Sequence, residues 1–177
     1  MRGRCRLCGI LAELEQGHIV PAFVGRWLKD SSATGYLRHG MTMNRRVQDT
    51  EKEYWLCGVC EDRFQKWEKL FAEHVFMPLN KGEAARFSYG SWMLKFAVSV
   101  SRRSLNLLRE MERLSHFTAP LLEDVDLALQ TWSEYLLDRR PHPGRFEQHM
   151  LLLDSVGKYF FESTAEHQSI PLEEYRN

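Results

Sequence analysis

The sequence predicts an α+β fold, mostly α. A small cysteine-stapled N-terminal unit precedes a helical region of about three to four helices. Two observations carry this reading. All four cysteines fall in two Cys-x-x-Cys pairs, Cys5-Arg6-Leu7-Cys8 and Cys57-Gly58-Val59-Cys60. After the second pair, apolar side chains recur at steps of three and four, the period of an amphipathic helix.

Taken in order, Cys5 and Cys8 sit on a knuckle ending in Gly9. Residues 11–24 follow, with Ile19, Val20, Ala22, Phe23 and Val24 as apolar material around Pro21. Residues 29–52 are polar and contain Gly35 and Gly40, which suggests a loop or an irregular hairpin. Tyr54, Trp55 and Leu56 lead into the second knuckle. A helix then starts near Cys60, with Phe64, Trp67, Leu70, Phe71 and Val75 as its stripe, and Pro78, Asn80 and Gly82 end it. A knuckle, a hairpin and a helix whose first turn carries the second pair together describe a treble-clef zinc finger. The expected division is residues 1–82 as this finger and 83–177 as a helical extension packed on it. In the extension, residues 92–108 read as a mostly buried helix. A second helix follows Pro120, with Leu122, Val125, Leu129, Trp132 and Leu136 on one side. The run Arg139-Arg140-Pro141-His142-Pro143-Gly144 breaks the chain, and a last helix is expected from about Phe146 to Phe161.

Each cysteine pair offers two thiolates on one tight turn, and two pairs complete a tetrahedral four-thiolate zinc site. Two disulfides would require an oxidising compartment, and no apolar signal segment precedes Cys5. A redox motif of the thioredoxin kind needs a single pair in a βαβ setting, and iron–sulfur clusters use other spacings. Structural Zn2+ is the reading of choice, with redox and iron–sulfur roles as the alternatives.

The 177 residues carry no net charge, which argues against a general nucleic-acid coat. The distribution is uneven: residues 1–50 hold eight Lys/Arg against four acids, and the remainder sixteen against twenty. A basic N-terminal face suits phosphate, although a solvated surface explains it as well. No apolar run approaches the roughly 20 residues that span a bilayer, so a cytoplasmic protein without membrane contact is expected.

The stretch Gly17-His18-Ile19-Val20-Pro21 lies between the knuckles. An imidazole titrates near neutrality and can take a proton from water. With the matching stretches Cys5 to Cys8, His18 to Phe23, Asn44 to Asp49 and Leu56 to Glu68, residues 5–77 resemble the HNH endonucleases, the His-Me finger or ββα-metal group. The closest likeness is to a bacterial subgroup with a Ser-His-Ile-Ile-Pro-like strand.

The resemblance implies a metal-dependent hydrolase of nucleic-acid phosphodiesters, DNA in the first place, in bacterial defence or mobile-element settings. It assigns His18 as general base and Asn44 as the residue orienting its loop. Glu61 and Glu68 become candidate ligands of a catalytic Mg2+ or Mn2+, and Arg45 and Arg46 candidate phosphate contacts. Glu61, Gln65 and Glu68 share one helix face at i, i+4 and i+7, and hard cations prefer oxygen. The family places His or Asp directly before the base and His on the helix, where this chain has Gly17, Glu61 and Gln65.

The alternative function is a non-catalytic zinc module that binds nucleic acid or a partner protein. The helical region could also carry a protein partner or a homodimer contact. Each site residue has a plainer role open to it: His18 a loop hydrogen bond, Glu61 a favourable charge at a helix start, Glu68 an ion pair and Asn44 a turn. Arg102 and Arg103 could touch phosphate or simply decorate a helix surface.

Overall fold

The first cysteine pair occupies the turn of a β-hairpin, and the second joins a strand to a helix. This is the arrangement in the computed structural model, which describes residues 1–39, 42–83, 86–151, 155–157 and 169–171, with backbone alone at 39, 42–44, 155–157 and 169–171. From the N-terminus the elements are β1 (Arg2–Arg4), β2 (Leu11–His18), α1 (Ala22–Ser31), β3 (Leu37–His39), β4 (Thr42–Val47), β5 (Lys52–Cys57), α2 (Gly58–Phe71), a π-helical turn (Ala72–Phe76), α3 (Met77–Asn80), α4 (Ser91–Glu110), α5 (Ala119–Leu136), β6 (Ser155–Gly157) and β7 (Ser169–Pro171). The fold is α+β, as the sequence predicts. No helix among the described residues is long and apolar enough to cross a membrane.

The chain forms two compact units, residues 1–22 with 50–148 and residues 23–49 with 149–177. The division does not fall at 82/83. Helices α4 and α5 share a unit with the cysteine-bearing sheet, and the other unit combines an insert between β2 and β5 with the C-terminal residues.

In the first unit the sheet order is β1-β2-β5, antiparallel throughout. The register sets Leu14 opposite Cys57 and His18 opposite Lys52, with a bulge between Glu15 and Gln16. Helix α2 leaves β5 directly at Cys57 and buries Cys60, Phe64, Trp67 and Phe71. Of the stripe that periodicity predicts, Phe64, Trp67, Phe71 and Val75 are buried and Leu70 is half-buried, and fully burying one such side chain stabilises by about 1.5–3 kcal/mol. Phe71 stacks on Phe96 of α4 with ring centroids 4.0 Å apart. Val98 of α4 and Leu136 of α5 are fully buried.

The helical run ends at Asn80, followed by Gly82 in the left-handed conformation, as expected, while Pro78 lies inside it, after the wider π-helical turn that precedes α3. Proline lacks the N–H a regular helix would use, and a local change to i→i+5 bonding accommodates it. Three elements meet at the C-terminus of α5. Arg63 of α2 donates to the Leu136 carbonyl and to the Asp138 carboxylate, and Lys95 of α4 bonds the Tyr135 carbonyl and Asp138. Cations are favoured there by the helix dipole. Together they hold the Asp138 carboxyl below its ordinary range, the hydrogen bond from Lys95 foremost.

The helix expected over 146–161 is absent from the described residues. Residues 146–151 are irregular, and Ser155–Gly157 is a strand paired with Ser169–Pro171. Two alternate ties explain the open chain: Trp132 Nε1 donates to the Phe146 carbonyl at 3.0 Å, and Ser101 bonds the Gln148 side chain. Contacts at positions two apart suit extended backbone rather than helix.

The second unit contains α1 and the antiparallel β3–β4 ribbon, with Lys29 Nζ donating to the Gln48 carbonyl at 2.9 Å. The hairpin expected in residues 29–52 is present, and α1 is an addition to the sequence reading.

Candidate metal centre and the His18 recess

The knuckle bearing Cys5 and Cys8 is built by backbone hydrogen bonds. Cys5 N donates to Ile10 O and Gly9 N to Cys5 O, and Gly9 takes the left-handed conformation (φ 78°) that closes the turn. Arg6 N donates to Trp55 O at 2.9 Å, which pins the knuckle to β5. The second pair follows from the strand-to-helix junction, with Cys57 ending β5 and Cys60 in the first turn of α2. The four sulfurs lie within 4.8 Å of one another, and Cys8 and Cys57 are 3.8 Å apart. A tetrahedron with metal–sulfur bonds of about 2.3 Å spaces its sulfurs at about 3.8 Å. The four thiols are therefore placed to hold a metal ion such as zinc.

Burial works against ionisation of Cys5, yet N–H donors from Cys8, Cys57 and Leu7 bring it down to about 7. Burial and the neighbouring thiols push Cys60 up, and burial raises Cys8. Such a cluster can be fully ionised only beside positive charge. One cation is built in. Arg102 of α4 is 4% exposed and lies in the field of Cys5 and Cys60. Burial lowers its pKa to about 10, so it stays charged at neutrality. Its guanidinium donates to the Arg6 carbonyl within the knuckle and to Ser133 Oγ of α5.

A second constellation lies on the same sheet. Gly17, His18, Ile19, Glu53, Trp55 and Glu61 line a small recess with Arg103. Glu61 sits in the first turn of α2 and is 8% exposed. Burial pushes its carboxyl above the usual range, and the nearby Arg103 offsets this only in part. Among the described residues its carboxylate makes no hydrogen bond and no ion pair within 4.0 Å.

Gly17 explains how the acid fits. A Cβ added there would meet Oε2, Oε1 and Cδ of Glu61 at 2.7, 2.8 and 2.9 Å. Glycine is required for close approach rather than for backbone conformation. Gly17→Ala is expected to destabilise the unit by about 1–3 kcal/mol, the usual cost of overpacking. Glu61→Ala in the same chain should restore most of it. Chemical denaturation of both variants checks this, and equal losses in the single and double variants would count against it.

Arg103 organises the rest. It is 4% exposed and donates to the His18 carbonyl at 2.7 Å, to Glu68 Oε1 at 2.6 Å and to Ser99 O at 3.3 Å. His18 thus has its backbone held by α4, and the residue lines the recess that contains Glu61. Glu68 is engaged by Arg103 rather than standing open beside Glu61. Asn44 lies on β4 in the other unit, and its side chain is outside the described residues. Arg45 and Arg46 are exposed on the same strand.

Arg102 and Arg103 are the residues that the sequence alone undervalued. Their position within a helix predicted as mostly buried was the available signal. Among the described residues only the four cysteines form a group of three or more side chains placed for one metal ion. No family model, no curated protein and no solved structure was found to match the chain.

Proposed function

We propose that this chain is an HNH-like hydrolase of nucleic-acid phosphodiesters, built on a treble-clef frame that structural zinc staples through Cys5, Cys8, Cys57 and Cys60. The observation that carries the reading is the meeting of Gly17 and Glu61 beside His18. The resembling enzymes carry a ligand on the strand residue before the base. Here that residue is glycine, and a carboxylate from the helix fills the space its side chain would take.

In this reading the His18 imidazole accepts a proton from water, and the oxygen attacks phosphorus. The bond from phosphorus to the leaving oxygen breaks, and that oxygen takes a proton from a water molecule, giving a phosphate monoester and an alcohol. A Mg2+ or Mn2+ ion, when bound, would supply positive charge that stabilises the developing charge on the leaving oxygen. Glu61 is the residue that would hold it, because its buried carboxylate has no hydrogen-bond donor among the described residues. Magnesium needs little more from a protein than one or two carboxylates, the remainder coming from water and phosphate. Arg103 keeps His18 in place through its carbonyl.

The second reading, a non-catalytic zinc module that binds nucleic acid or a protein, draws on Glu68. Its pairing with Arg103 leaves Glu61 as the single open carboxylate of the two. A cleavage assay on DNA and RNA with Mg2+ or Mn2+ separates the readings. Wild type is expected to cleave, and His18→Ala to lose about 10²–10⁴-fold in rate, the usual share of a general base. Equal rates in both proteins would sink the catalytic role of His18, and no cleavage of DNA or RNA by either would leave the non-catalytic module standing.

A further inference from the structure

We infer that the β3–β4 ribbon is a binding surface for duplex DNA that works through the phosphate backbone. This rests on the reading above in taking nucleic acid as the substrate, and it narrows the class to duplex DNA.

The argument begins with register. Arg38 and Arg46 are directly opposite partners across the ribbon, so their side chains stand on one face. Like charges in that position oppose pairing. Tyr36, two residues before Arg38, shares the face, and both guanidinium groups lie over its ring, Arg46 at 4.2 Å and Arg38 at 5.7 Å. The ring gives two cations a shared partner and lets them sit close together. Arg45 projects from the opposite face and is also exposed. Among the described residues no carboxylate pairs with Arg45 or Arg46. Residues 23–49 carry five Lys/Arg against two Asp, although the whole chain is neutral. The local excess is therefore concentrated in the insert that contains the ribbon.

A polyanion with several oxygens suits this arrangement, since a guanidinium fork matches phosphate and stacked forks lose little freedom on binding. The Tyr36 ring is already covered by guanidinium, so it is not an open platform for bases as in single-strand binders. A two-stranded ribbon fits the major groove of B-DNA, about 12 Å wide, whereas the A-form RNA groove is too narrow.

The test uses the full-length His18→Ala chain without added divalent ion. Fluorescence anisotropy follows its binding to a duplex of about 25 base pairs between about 50 and 200 mM salt. Arg46→Gln should weaken binding and lower the slope of log K against log salt by about one, and Arg38→Gln/Arg46→Gln by about two. Tyr36→Leu should weaken binding severalfold with the slope unchanged, because it removes the platform and no charge. Metal content and circular dichroism verify the fold of each variant.

Unaltered affinity and slope in the double variant, with wild-type binding intact, would overturn the ribbon while leaving the nucleic-acid reading in place. Tighter binding of the matching single strand or RNA duplex, or equal competition by poly-glutamate, would also overturn it. Binding that depends on the ribbon, with cleavage indifferent to His18, would keep the surface and remove the hydrolase. Absence of binding to any nucleic acid removes both.

Discussion

Cys60→Ser is expected to abolish zinc binding and to unfold the β1-β2-β5 sheet with the first turns of α2. Cys60 is 2% exposed in the first helical turn, at the point where the sheet, the helix and the first knuckle meet. Removing one thiol leaves three others crowded in a buried site with an incomplete tetrahedron. Structural zinc contributes about 10–16 kcal/mol to folding in small zinc modules. That is comparable with the whole stability of an ordinary domain, about 5–15 kcal/mol. The loss therefore exceeds what the apolar contacts of α2 can absorb.

Zinc content by atomic emission should fall from stoichiometric to background. Thermal unfolding followed by circular dichroism should lose its cooperative transition. A strong chelator should have the same effect on the wild type. Val59→Ala lies one residue away, 74% exposed between the two cysteines, and should leave both signals unchanged. Native circular dichroism and an unaltered transition in metal-free Cys60→Ser would refute a structural role for the metal.

The parts legible in the sequence are those with a local cause. Four cysteines in two pairs announce one site, because a turn fixes the geometry within each pair. The stripe of α2 and the spans of α4 and α5 follow from side chains three and four apart. Helix α1 was legible too, since Phe23, Val24, Trp27 and Leu28 keep helical spacing, but Pro21 and Gly25 blurred it. The departure from the expected helix at 146–151 has a distant cause, and residues 152–154 and 158–161 of that expected helix lie outside the described residues. The ties of Phe146 to Trp132 and of Gln148 to Ser101 join residues far apart in sequence, and no local period reveals them.

The same holds for the candidate site. His18 and Glu61 were visible as residues, but the role of Gly17 was not. Its meaning depends on a carboxylate forty-four positions further on. Arg102 and Arg103 read as ordinary helix cations. Their burial follows from packing α4 against the knuckle and α5 on one side and against β2 and α2 on the other.

Arg103→Met is the substitution expected to cost most outside the cysteines. Methionine keeps much of the length and apolar stem, so the loss isolates the charge. Glu68, 14% exposed, would be left buried without its partner, and the His18 carbonyl would lose its donor. Breaking a buried pair from one side typically costs about 3–5 kcal/mol. Replacing both partners is far milder, since it removes the stranded charge as well. Arg103→Met/Glu68→Met should therefore recover most of the stability in denaturant titrations, and failure to recover would show that the pair is not what Arg103 contributes.

Cleavage gives the second readout. Neither methionine can donate to the His18 carbonyl, so a positioning role for Arg103 predicts that the double variant folds well yet cleaves slowly. Its defect should resemble a milder form of His18→Ala. If cleavage returns together with stability, Arg103 acts on the fold alone. The contrast between the two readouts decides whether the hydrogen bond from α4 to the end of β2 serves the reaction or only the packing.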